Sequence, residues 1–156
     1  MSALRDAQPS EATLLAELQE HASVAAFAHI FPPERFPFPR EAVHERWAEA
    51  LEDPAASVRV AERADEPVGV VLVRPDWLEG LYVVPEWWGK GVADELHDAG
   101  LEIVRDLGSA QIHLWVLEEN ARARRFYERR GWQENGRTRV VPFPPNPLDV
   151  GYTLDF

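Results

Sequence analysis

Two glycines flank a lysine in Gly89-Lys90-Gly91-Val92-Ala93, between an apolar stretch ending at Val84 and a run with helical spacing. N–H groups at a helix start have no intrahelical acceptor, and the helix dipole adds partial positive charge there. Glycine also lets a backbone come close to a phosphate. Lys90 contributes a full charge. The segment therefore reads in two ways, as an anion cradle or as a tight strand-to-helix turn. Two nucleotide motifs fail the comparison: the P-loop needs Gly-x4-Gly-Lys-Ser/Thr, and the dinucleotide fingerprint needs a small residue where Asp94 stands. The chain has no cysteine, which excludes disulfides, thiolate zinc sites and a cysteine nucleophile. His21, His44 and His97 fall on helical runs without a ligand partner at i+4, so no metal is expected.

Elements must hold this segment in place, and the spacing of apolar residues supplies them. Leu14, Leu15 and Leu18 share one face of a helix that Ser10 would cap, and Val43, Trp47 and Leu51 mark a second helix from Pro39 or Arg40 to Asp53-Pro54. Two β-branched runs, 57–62 and 67–73, read as a hairpin, and 77–84 as a third strand. Val92, Leu96, Ala99, Ile103 and Leu107 form a helix closed by Gly108. A strand at 111–117 follows, then a helix capped by Asn120 that carries Ala123, Phe126, Tyr127 and Arg130 and stops at Gly131. Strands near 132–141 and 149–155 end the chain, and 4–6 could add a short one. Pro-rich loops at 31–39 and 141–147 separate elements without dividing domains, so residues 1–156 are expected to form a single domain. The expected class is α/β (α+β): a mixed, mostly antiparallel central sheet of six to seven strands with about four helices on its faces.

Trp88-Gly89-Lys90-Gly91-Val92-Ala93 fits the pattern Gln/Arg-x-x-Gly-x-Gly/Ala except at its first residue, with Leu81-Tyr82-Val83-Val84-Pro85 ahead of it. A second stretch, Asn120-Ala-Arg-Ala123-Arg-Arg-Phe126-Tyr127-Glu-Arg-Arg-Gly131-Trp132, fits Asn-x-x-Ala-x-x-Phe-Tyr-x-x-x-Gly-Phe. Together they resemble the GCN5-related N-acetyltransferases. The resemblance covers 68–132 well and, by order of elements, nearly the whole chain.

The resemblance implies acetyl-CoA as cosubstrate, in a cleft between the strands of Val83 and Trp115. The turn of Gly89, Lys90, Gly91, Val92 and Ala93 would take the pyrophosphate, and the strand of Leu81, Tyr82 and Val83 would add pantetheine to its edge as a further strand. Asn120 would bond pantetheine, with Ala123 and Phe126 packed along it. Trp88 replaces the family's Gln or Arg, and because main-chain N–H groups make most anion contacts, this should weaken binding modestly. The implied reaction is acetyl transfer from the thioester to a neutral primary amine. Tyr127 matches the family's general acid toward the CoA sulfur, while an N–H near Val83 would polarise the carbonyl. Glu79 is the first choice for general base, followed by His113, then His29 and Glu34, with water as the remaining possibility. Trp77, Trp87 and Trp88 are candidates for an acceptor wall, and most of the arginines between 122 and 130 read as a solvated face.

The charge balance, 16 basic against 27 acidic residues for a net charge of −11, disfavours tracking of a nucleic-acid backbone and suits a small cationic amine of the aminoglycoside, polyamine or amino acid type. Protein N-termini or lysines rank behind. A module of the same fold that binds or senses acyl-CoA without turnover is the alternative. The N-terminal stretch lacks the features of a signal peptide, and no apolar run approaches the roughly 20 residues of a membrane span, so a soluble, cytoplasmic protein without a membrane partner is expected. A homodimer through the final strands is compatible with the sequence.

Overall fold

The computed structural model describes residues 4–156. Residues 1–3, part of the stretch read above against a signal peptide, lie outside the described residues. The elements run β1 (Leu4–Asp6), α1 (Ala12–Phe27), α2 (Arg40–Glu52), β2 (Ser57–Arg63), β3 (Glu66–Arg74), β4 (Trp77–Val83), a 3-10 turn (Pro85–Trp87), α3 (Val92–Asp106), β5 (Gln111–Leu117), α4 (Ala121–Glu128), β6 (Gln133–Val140) and β7 (Leu148–Asp155). They form one seven-stranded sheet in the order β1-β2-β3-β4-β5-β7-β6. Every neighbouring pair is antiparallel except β4 and β5, which the α3 crossover makes parallel.

The run of Val70, Val71, Leu72 and Val73 makes β3 an interior strand sealed on both faces. On one face α2 inserts Trp47, wholly buried, whose indole N–H donates to Gln19 Oε1 of α1 at 2.8 Å. Burying that ring without a partner for its N–H would be costly, so Gln19 is part of the packing. On the other face α3 lies so close to β3 that a Cβ at Gly69 would stand 2.8 Å from Leu96 Cδ1. This approach brings the start of α3 to the end of β4.

Two local expectations shift, and the expected hairpin shows its turn. Helix α1 starts at Ala12, with Glu11 rather than Ser10 at the cap position, because Arg5 and the Gln8 N–H hold the Glu11 carboxylate (2.9 and 2.7 Å). Trp132 lies outside β6 and is buried, its N–H donating to the Tyr127 carbonyl at 3.1 Å. The β2–β3 hairpin turns on Ala64 and Asp65, both with positive φ (51° and 62°), the geometry of a type I′ turn built without glycine.

Candidate active site

Strands β4 and β5 pair only at Trp77 and His113, where the His113 N–H donates to Asp76 O at 2.8 Å. Beyond that point they diverge and leave a wedge that opens toward Val83 and Leu117. The Val84 N–H donates to Val68 O at 3.0 Å, so the alternation of the antiparallel ladder turns the main-chain groups of Leu81 and Val83 away from β3 to the open edge. A bulge lies at Glu79, since Leu72 faces Gly80 while Val73 faces Leu78. The Trp88 indole N–H donates to the Val83 carbonyl at 2.7 Å, and the Arg122 guanidinium sits 4.0 Å from the Trp88 ring centroid. Trp88 and Arg122 thus span the wedge from the glycine turn to α4.

Gly89 and Gly91 adopt φ of 73° and 87°, which side chains other than glycine rarely adopt, and a Cβ on either would meet nothing within 4 Å. The N–H groups of residues 89–94 find no acceptor among the described residues. Six consecutive donors at the start of α3 make an open, electropositive nest. Asp94 and Glu95 in the first turn of α3 would oppose an anion, but each is paired, Asp94 with Arg130 and Glu95 with Arg63. The Lys90 ammonium lies 4.9 Å from the Trp87 ring centroid.

Helix α4 closes the same wedge. Asn120 Oδ1 caps it by accepting the Ala123 N–H at 3.2 Å, which leaves the Asn120 amide hydrogens unused. Ala123 and Phe126 pack half-buried against the core. Tyr127 is buried, with its ring edge-on to Phe126 (5.2 Å) and Trp132 (5.6 Å). Its hydroxyl makes no hydrogen bond, yet it is not sealed: among the described residues only Ser23 Oγ is both sealed and unpaired. Burial, and secondarily the nearby Tyr82, push the Tyr127 phenol above the ordinary value of 10.0, so it stays protonated at neutral pH.

The candidates for base lie apart from one another. Glu79 is held by Arg74, which also bonds Asp53 (2.9 Å) and Glu49 (3.0 Å). These carboxylates raise the Arg74 guanidinium above its ordinary range. His113 sits at the closed end of the wedge with Nδ1 2.8 Å from Thr153 Oγ1. His29 is exposed, with Nε2 3.2 Å from Glu119 O in the turn after β5, and Glu34 is exposed in the loop between α1 and α2. The three tryptophans named above also separate. Trp87 and Trp88 flank the glycine turn, while Trp77 stacks on Trp115 (6.4 Å, 20°), over which Arg139 lies at 4.7 Å. Of the arginines on and just after α4, Arg122, Arg125 and Arg129 are exposed, whereas Arg124 bonds Tyr152 (2.9 Å) and Glu134, and Arg130 bonds Asp94.

A twisted mixed sheet opened between two parallel strands, with a glycine-rich helix start at the opening, defines the structural class. Residues 14–132 match the model of the acetyltransferase (GNAT) family, and the chain belongs to that family. It is 35% identical over 96 residues to an uncharacterised N-acetyltransferase of Mycobacterium bovis, covering 58% of this chain and 62% of that relative. It is 33% identical over 124 residues to a mycothiol acetyltransferase of Beutenbergia cavernae, covering 74% of this chain and 42% of that one. The chain therefore spans less than two thirds of the length of either relative. The PaiA N-acetyltransferase of Thermoplasma acidophilum, solved with coenzyme A, shares the fold at a TM-score of 0.77 and 16% identity, with 98% of each chain covered. No helix among the described residues is long and apolar enough to cross a membrane.

Proposed function

We propose that this protein is an acetyl-CoA-dependent N-acetyltransferase that acetylates a primary amine directly. The observation that carries the reading is a Tyr127 hydroxyl unpaired among the described residues, beside a wedge whose opposite wall turns the main-chain groups of Leu81 and Val83 outward and whose mouth is a nest of free N–H donors. Bound acetyl-CoA would supply the thioester and its acetyl group. The N–H groups of Gly89, Lys90, Gly91, Val92 and Ala93 hold the pyrophosphate, and Leu81 and Val83 receive pantetheine along β4 with Tyr82 between them. Asn120 offers its free amide hydrogens from the other wall, and Ala123 and Phe126 pack beside it. An N–H at the outward edge of β4 polarises the carbonyl, a contact typically worth about 3 kcal/mol. Tyr127 gives its proton to the departing sulfur, and the dry surroundings that raise the phenol also make a bare thiolate costly, which favours the transfer.

The acceptor is a small cationic amine in this reading, approaching from the face of the sheet that carries Trp77 and Trp115. Glu79, held in place by Arg74, acts as a negative charge that attracts the ammonium, and water on that open face takes the proton. A protein N-terminus or lysine is the second class of acceptor, and the cytoplasm is the proposed setting. A module that binds acyl-CoA without turnover is favoured by one observation: the Trp88 indole occupies the Val83 carbonyl, one of the acceptors pantetheine would use.

Thermal unfolding across a titration of acetyl-CoA, followed by thiol release with a panel of primary amines, tests both. A ligand bound only by the native state stabilises it by about 2.7 kcal/mol at 100 times Kd. A shift specific to CoA ligands together with amine-dependent thiol release supports the enzyme, and a shift without release supports the module. No shift at millimolar acetyl-CoA would withdraw both.

A further inference from the structure

His97 and Trp132 are each 2% exposed, and neither takes part in the chemistry above. The Trp132 indole N–H points at His97 Nε2 at 3.0 Å. An indole nitrogen can only donate, so Nε2 carries no proton, and the ring hydrogen resides on Nδ1, which faces Asp98 Oδ1 at 3.0 Å. The two contacts thereby fix which ring nitrogen accepts and which donates. Around it lie Phe126 (5.7 Å), Tyr127 (6.3 Å) and Trp132 (6.1 Å), their rings inclined by 82°, 45° and 65°.

Nothing at the hydroxyl end holds Tyr127, because that oxygen has no partner among the described residues. The direction of its ring is set by what grips its flanks and its main chain. Trp132 does both, through ring contact and through its N–H to the Tyr127 carbonyl (3.1 Å). Trp132 is in turn tied to α3 by His97. Asp94–Arg130 also links α3 to the end of α4, but its Asp94 side chain is 53% exposed, and ion pairs open to solvent contribute little. A buried, fully satisfied polar contact instead selects one arrangement among several that would pack equally well.

We propose that His97 is a positioning residue: by accepting the Trp132 indole N–H it fixes the seat of α4 against α3 and so aims the Tyr127 hydroxyl into the cleft. This rests on the reading of Tyr127 as proton donor. A displacement of about 1 Å at a catalytic group can cost on the order of 100-fold in rate.

The test is a double-mutant cycle on a working acceptor, with kcat and the KM for acetyl-CoA read separately. His97→Leu should lower kcat by roughly 10- to 100-fold while leaving that KM within about twofold, and His97→Gln, which restores an acceptor near Nε2, should recover most of the loss. Trp132→Phe keeps a ring and removes the N–H, so it should repeat the His97→Leu effect and carries the test if the leucine variant fails to fold. In a Tyr127→Phe background His97→Leu should add almost nothing. A full, additive loss in that background would overturn the proposal and leave the proton-donor reading standing. So would a rise in KM in place of the fall in kcat, or a glutamine variant no better than leucine. Wild-type turnover by Tyr127→Phe alone would remove the proton-donor reading itself, and the proposal with it.

Discussion

Replacing Tyr127 by Phe removes one oxygen from a buried ring and leaves the ring contacts to Phe126, Trp132 and His97 in place. The hydroxyl has no hydrogen-bond partner among the described residues, so its removal orphans none of them. Burying an unpaired hydroxyl costs about 1–3 kcal/mol when water is fully excluded, and here exclusion is incomplete. The variant should be as stable as the parent or up to about 1 kcal/mol more stable, which for a chain of this size raises Tm by about 2–4 °C. The rate should move the other way. Loss of a positioned acid typically costs 10²- to 10⁴-fold in kcat, about 3–5 kcal/mol of barrier at 1.36 kcal/mol per decade. Thiol release from acetyl-CoA measures this directly, and the absence of cysteine means that the protein adds no thiol of its own. A variant that is at least as stable and turns over within about threefold of wild type would refute the assignment, since a rate preserved to that degree leaves no acid step to lose. Binding of acetyl-CoA should survive, because the groups assigned to hold it are main-chain groups and Asn120.

The remaining predictions concern charge, backbone and pH. Glu79→Gln should raise the KM for a cationic amine several-fold and leave kcat nearly unchanged if Glu79 only attracts the ammonium, whereas a fall in kcat of about 100-fold would make it the base. Gly91→Ala puts a side chain at φ 87°, so it should cost about 1–2 kcal/mol by denaturant unfolding and raise the KM for acetyl-CoA, even though no atom of the described residues lies within 4 Å of the new methyl group. Ala64→Asn with Asp65→Gly places the residues a type I′ turn prefers at two positive-φ positions, and should stabilise by about 0.5–1 kcal/mol in urea titrations. Tyr127 has a folded-state pKa above its ordinary value of 10.0, so its contribution to stability is complete below pH 10 and is lost as pH rises beyond it. Tyr127→Phe should accordingly flatten part of the decline in Tm above pH 10. Tyr152, also raised by burial, accounts for some of what remains.

Local chemistry was legible from residue order alone. The glycine turn announced itself because positive φ, free N–H groups and a following helix are properties of neighbours in the chain, and Asn120 marked the start of α4 for the same reason. The hydrophobic periods placed most strands and helices, since an element's buried face repeats along its own sequence, whereas β1, three residues long, carries no period and reads only as an optional strand. Tertiary structure alone decided which side chains meet. Arg74 takes hold of Glu79 because a β-bulge turns that carboxylate toward α2, and neither the bulge nor the partners Glu49 and Asp53 leave a periodic signal. Trp88 reaches back to the Val83 carbonyl, and Trp77 finds Trp115 instead of the other tryptophans, since direction depends on how strands β4 and β5 diverge. His97 and Trp132, 35 residues apart, form a directional bond only after α3 and α4 have docked on the same face of the sheet. Patterns of backbone and hydrophobicity are written locally, whereas a pairing between distant side chains exists only in the folded geometry that brings them within reach.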